Sequence, residues 1–125
     1  MKRLFYSLAK TRWGGWLLHM IFAHFSFLIP AEKLIETASL LAFHHPHPAY
    51  GLHILIVPKA YYPSPADLPT DDQQFERDLF QAVQALIKKF DLLSSGYRLI
   101  LNGGKYQEVT HLHFHLISEV SPEKE

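Results

Sequence analysis

The sequence predicts an α+β domain, an antiparallel sheet of about five strands with one long covering helix, plus an extra helix at the N-terminus. Three observations predict it. A helical apolar stripe runs from Phe75 to Phe90, short β-branched runs bounded by proline or glycine lie on both sides of it, and the last of these runs alternates polar and apolar residues. The 125 residues suit one domain, which at this size buries roughly two thirds of the surface its unfolded chain exposes.

Taken in order, the first element is N-terminal. Lys2, Arg3, Lys10 and Arg12 are the only charged side chains before Glu32, and they precede an apolar stretch from Trp13 to Ile29. That stretch is short, contains Gly14 and Gly15, and carries His19 and His24, whereas a membrane span needs about 20 apolar residues. It also lacks the small-residue cleavage site of a secretory signal. Residues 1–24 therefore read as an N-terminal helical extension and residues 25–125 as the domain. The extension packs as a helix or a dimer contact, with membrane-surface contact through its basic, Trp-rich end as the weaker alternative.

Ala31 to Phe43 reads as two short strands around a turn, with Leu34, Ile35, Leu40, Leu41 and Phe43 at the apolar positions. The segment from His44 to Gly51 must be a loop, because Pro46 and Pro48 remove donors and push their predecessors out of the helical region. His53 to Val57 is almost continuously apolar and ends at Pro58, as expected of a central strand covered on both faces. Thr70, Asp71, Asp72 and Gln73 read as a capping box for the long helix. Its apolar positions are Phe75, Leu79, Phe80, Val83, Leu86, Ile87 and Phe90, with Lys88 and Lys89 in the last turns. Tyr97 to Leu101 is then a strand, Asn102-Gly103-Gly104 a turn, and Gln107 to Ser118 a returning strand.

Composition excludes several functions. Twelve basic residues balance twelve acidic ones, so no global field recruits polymeric nucleic acid. The absence of cysteine removes disulfides, thiolate nucleophiles and cysteine-ligated zinc, and it agrees with a cytoplasmic location. Any catalysis must come from other side chains.

The informative residues are histidines. On a strand, His111, His113 and His115 share one face while Leu112, Phe114 and Leu116 share the other. The apolar set anchors the strand and the imidazoles stand roughly 7 Å apart. Such a row suits nucleophilic or acid–base work, and it also suits a zinc ion. Neighbouring imidazoles cannot all be protonated cheaply, so the cluster should titrate as a coupled set. The His44-His45-Pro46-His47 run reads as a proline-stiffened loop of exposed imidazoles, with metal binding as the second reading.

The run His111-Leu-His-Phe-His-Leu-Ile117 resembles the motif of the histidine triad (HIT) family, in its nucleotide-binding, nucleoside phosphoramidase-like branch. Upstream, His53-Ile-Leu-Ile-Val-Pro-Lys59 looks like that family's central strand, and Ala42-Phe43-His44 resembles the strand before it. Asn102 and Gln107-Glu108-Val109 resemble the approach to the triad, so the match spans about residues 25 to 118. The resemblance implies a HIT-like fold, a homodimer and a small-molecule nucleotide as substrate. His113 would attack the α-phosphorus of a nucleoside phosphoramidate or related conjugate, forming a nucleotidyl-histidine that water resolves. His115 would bind the phosphate oxygens, His111 would shape the pocket, and His53 would hydrogen-bond behind the nucleophile and fix its tautomer. Asn102 and Gln107 would be neutral donors to phosphate or ribose, or simply a turn-forming Asn and an exposed strand Gln. Ile29 and Phe43 match positions that sandwich the base, and also read as ordinary core. His44, beside Phe43, would be a further nucleotide contact.

Three positions depart from the family pattern. His45 stands where an acidic residue usually holds the ribose hydroxyls, and imidazole cannot offer two acceptor oxygens. Tyr106 stands where a glycine is usual, and Glu108 where a small hydroxyl residue often protonates the leaving group, so that acid is unassigned. No cofactor is required for the phosphoramidate reaction, although a divalent cation can assist polyphosphate substrates. The rival readings are a dinucleoside polyphosphate hydrolase, a nucleotide-binding module with little turnover, and a His-ligated metal site.

Overall fold

The computed structural model describes residues 33–119. The N-terminal helix expected over residues 1–24, and Ile29 with it, lie outside the described residues.

Strand β1 (Lys33–Glu36) and strand β2 (Leu40–His44) pair antiparallel around a turn built on Thr37. The Thr37 hydroxyl accepts from the amides of Ser39 and Leu40, both at 3.1 Å, the local bonding that makes threonine a turn former. Strand β3 (Leu52–Pro58) follows the proline-rich loop, and it is central and nearly all buried, as its composition predicts. Helix α1 (Gln74–Lys89) and the single turn α2 (Leu92–Ser95) come next, then the strands β4 (Arg98–Leu101) and β5 (Phe114–Ser118). The five strands form one antiparallel sheet in the order β1-β2-β3-β5-β4.

Alternation along the strands gives the sheet two different faces. Leu40, Ala42, Leu52, Ile54, Ile56 and Leu116 point toward α1, whose Phe75, Leu79, Ala82, Val83 and Leu86 complete the main core. Leu41, Phe43 and Val57 form a second buried cluster, with Leu55 against it. The intervening strand residues His53, His115 and Ile117 belong to that second face. The helix thus occupies one side, leaving the other for chemistry.

Asp78 ties α1 to the β1–β2 turn. Its carboxylate accepts from Ser39 Oγ at 2.7 Å, Thr37 Oγ1 at 2.9 Å and Gln74 Nε2 at 2.7 Å. These bonds, that of Ser39 foremost, hold the carboxyl below its ordinary range despite burial.

Four expectations change. The helix starts at Gln74 without a side-chain cap at Gln73, because Asp72 Oδ1 takes the Gln74 amide at 3.1 Å and breaks the expected box. Phe80 is 59% exposed, since five residues of α-helix turn it about 140° away from Phe75. No tight hairpin joins β4 to β5. Residues 102–113 form a longer loop containing one turn of 3-10 helix at Gly104–Tyr106, entered by Gly104 at φ 59°, a left-handed conformation natural to glycine. The returning strand begins at Phe114 and not at Gln107. Before that point the chain bonds elsewhere: Gln107 Nε2 donates to Pro63 O at 2.8 Å and Val109 O at 2.9 Å, and the Leu112 amide to Tyr62 O at 2.7 Å.

Among the described residues, no helix is long and apolar enough to cross a membrane.

Candidate active site

The triad is split between loop and strand. His115 sits on β5, while His111 and His113 occupy the extended segment leading into it. Register across the sheet then aligns Phe43, Leu55, His115 and Ile100 in one row, and His53, Ile117 and Arg98 in the next.

Backbone groups decide which nitrogen of each neutral ring holds the proton. His113 Nδ1 lies 2.7 Å from the carbonyl of His111. A carbonyl only accepts, so Nδ1 carries the hydrogen and Nε2 keeps its lone pair. His53 Nδ1 instead accepts from the Ala49 amide at 3.1 Å, which leaves the hydrogen on Nε2. That Nε2 faces His115 Nδ1 at 2.9 Å, so His115 accepts there and presents its own N–H from Nε2. The site therefore combines one imidazole lone pair, on His113, with one imidazole donor, on His115. Their ring centroids are 5.0 Å apart.

His53 does not stand behind His113 as the family resemblance implied. It backs His115, and the His111 carbonyl performs the role expected of it at His113. His111 is fully buried, with Nε2 donating to Pro58 O at 3.0 Å and its ring stacked on Tyr61 at 5.6 Å. It anchors the loop to the end of β3, the ring being used for structure and the carbonyl for orientation.

His45 joins the cluster, its ring 4.4 Å from His53 and 6.4 Å from His115. Its Nδ1 accepts from the His47 amide at 2.9 Å, which makes His45 Nε2 a further donor. Burial, and then the charge of His45, lower the His53 pKa from 6.5 to about 4. Burial followed by the charges of His113, His53 and His45 brings His115 to about 4 as well. His45 is lowered by burial first and by His47 and His113 next. Around neutral pH these three rings are uncharged donors, each with a defined tautomer.

Other expected contacts fare differently. Phe43 is buried on the histidine face among Leu41, Leu55 and Val57. His44 points to the opposite side, its ring edge-on to Phe90 at 6.1 Å, because β2 alternation groups it with Leu40 and Ala42. Gln107 spends both amide hydrogens on backbone carbonyls, so it braces the loop and has no donor left for a phosphate. Asn102 and Glu108 are exposed on that loop. Among the described residues, no group of three or more His, Cys, Asp or Glu is placed to hold a metal ion. Ala49 and Tyr61 were not recognised from sequence. Their roles depend on loop geometry, and the only available signal was proximity to proline.

Comparisons with known proteins identify the family and the fold. The HIT domain family model matches residues 26–121. A 13.2 kDa HIT-like protein of Azospirillum brasilense is 37% identical over 93 residues, covering 72% of this chain and 76% of its own. An adenosine 5′-monophosphoramidase of Candida albicans is 35% identical over 97 residues, covering 71% of this chain and 62% of its own. Among solved structures, a histidine triad protein from Clostridium difficile superimposes with a TM-score of 0.70 at 31% identity, covering 82% of this chain and 88% of its own. A histidine triad nucleotide-binding protein from Candida albicans gives 0.69 at 31% identity, covering 84% and 75%. With its triad, sheet and matching relatives in agreement, the chain belongs to the HIT domain family.

Proposed function

We propose that the protein hydrolyses nucleoside 5′-phosphoramidates or related nucleotide conjugates, as a cytoplasmic homodimer and without a metal cofactor. The observation that carries this reading is the tautomer set: a lone pair at His113 Nε2 beside a neutral N–H donor at His115 Nε2. In the first step His113 Nε2 attacks the α-phosphorus, the P–Nε2 bond forms, the P–N bond to the leaving amine breaks, and the amine departs with a proton drawn from solvent, which the water of the second step returns. In the second, water adds to phosphorus, the P–Nε2 bond breaks and the nucleoside monophosphate leaves. Over the cycle, water supplies both the oxygen gained by phosphorus and the proton carried off by the amine. His115 donates to a phosphoryl oxygen where negative charge develops. His53 holds His115 in the donating form, and Phe43 lines the base side. The phosphoramidase activity named for the Candida albicans relative supports the same substrate class.

The test is release of AMP from adenosine 5′-phosphoramidate by chelator-treated protein, beside a His113→Ala variant. Turnover by the parent alone is expected. Tight AMP binding with no turnover by either would replace the hydrolase with a binding module. A rate that returns only with a divalent cation on diadenosine polyphosphates would favour the polyphosphate hydrolase.

A further inference from the structure

Of the clustered rings His45, His53, His113 and His115, His45 is the one that the proposed chemistry leaves unused. It follows Phe43 by two residues on the same face of the sheet, and its amide donates to His53 O at 2.8 Å, extending the β2–β3 pairing by one step. Its half-buried ring lies 4.4 Å from that of His53 and 6.4 Å from that of His115. A nucleotide with its α-phosphorus at His113 and its base beside Phe43 lays its ribose between them, on the stretch that His45 borders. In the strand order β2 is three positions from the edge strand β4, so this stretch is independent of any pairing at that edge.

The chemistry of the ring is fixed. Its Nδ1 accepts from the His47 amide at 2.9 Å, so Nε2 carries the hydrogen, and a ribose substituent meets a donor with no acceptor beside it. Burial first and neighbouring imidazoles second keep His45, His53 and His115 neutral, and no carboxylate acts on any of them. Besides His47 and His113, the other titratable neighbour is Tyr50, whose ring meets His53 edge-on at 5.5 Å. An anion brought to His45 therefore meets no like charge, and it favours the imidazolium that burial disfavours.

We infer that His45 makes the site selective for nucleotides that carry a phosphate on the ribose, at the 2′ or 3′ oxygen. The anionic oxygens of that phosphate accept from His45 Nε2 while the 5′-phosphoryl group is held at His113 and His115. On binding, His45 takes one proton from solvent and pairs with the ribose phosphate as an imidazolium. The inference rests on the nucleotide reading of the site.

Calorimetric titration of the full chain with AMP, adenosine 2′,5′-bisphosphate and adenosine 3′,5′-bisphosphate at neutral pH, in buffers of different ionisation enthalpy, tests it. One bisphosphate should bind about tenfold or more tightly than AMP, with greater proton uptake, and the preferred isomer identifies the ribose oxygen. His45→Asp and His45→Asn both keep an acceptor for the His47 amide, as in an Asx turn, and AMP binding by each variant reports an intact fold. The Asp variant should reverse the preference, because its carboxylate repels the ribose phosphate. The Asn variant donates but takes up no proton, so it should keep part of the preference and lose the extra uptake. AMP bound by the parent with neither bisphosphate favoured, a preference that survives His45→Asp, or extra uptake that persists in His45→Asn would each overturn the assignment. If the parent binds none of the three nucleotides, the nucleotide reading itself fails and this inference falls with it.

Discussion

At the scale of single residues, the proton positions of His113, His53 and His115 trace back to two backbone groups, the His111 carbonyl and the Ala49 amide. The chain Ala49 N–H to His53 to His115 makes a testable link between a loop and the proposed phosphate donor. His53→Phe removes the hydrogen-bond partner of His115 Nδ1 and frees that ring to move its proton. The expected result is a fall in kcat of about 10²-fold, with a smaller change in KM. In ¹⁵N spectra the His115 tautomer should change, and His53→Gln, which can still donate, should restore part of the rate. An unchanged His115 tautomer in His53→Phe would break the link.

At the scale of elements, Asp78 and the 102–113 loop show what holds the site in place. Asp78→Ala deletes the acceptor for Ser39, Thr37 and Gln74, and it should cost about 2–3 kcal/mol in urea denaturation. Gln107→Ala should loosen the loop that carries His113, reducing activity more than stability, and faster amide exchange at Val109 and Leu112 would report it. Sheet composition, the long helix and the grouping of histidines were legible because apolar periodicity is a local signal. Where the helix starts and where β5 begins were not, because Asp72 and Gln107 each divert backbone groups through contacts that no periodicity encodes. Likewise, the family motif pointed to His113, but the exchange of partners between His53 and the His111 carbonyl depends on the loop's path. The side of the sheet that His44 faces required the register of β2.

At the scale of the whole molecule, the uncharged histidine cluster makes stability depend on pH. His53 and His115 titrate near 4 in the fold, against 6.5 as the ordinary value. Between those values the unfolded chain binds protons that the native state refuses, so stability is fully present above about pH 6.5 and falls as pH drops toward 4. The loss is about 2 kcal/mol per imidazole after allowance for solvent screening. A His53→Phe, His115→Phe double variant should flatten this part of the curve, whereas an unchanged slope would assign the dependence to other groups. The proposed homodimer is checked by sedimentation across a dilution series. Strand β4 lies at the sheet edge, where an unpaired strand is open to pairing.

The central claim is that His113 Nε2 becomes covalently bonded to phosphorus, and trapping that bond tests it most directly. Protein mixed rapidly with adenosine 5′-phosphoramidate, quenched in alkali to preserve the P–N bond, and digested for mass spectrometry should carry one AMP group on His113, with none in His113→Ala. An adduct on another residue, or AMP release that persists in His113→Ala, would contradict the account.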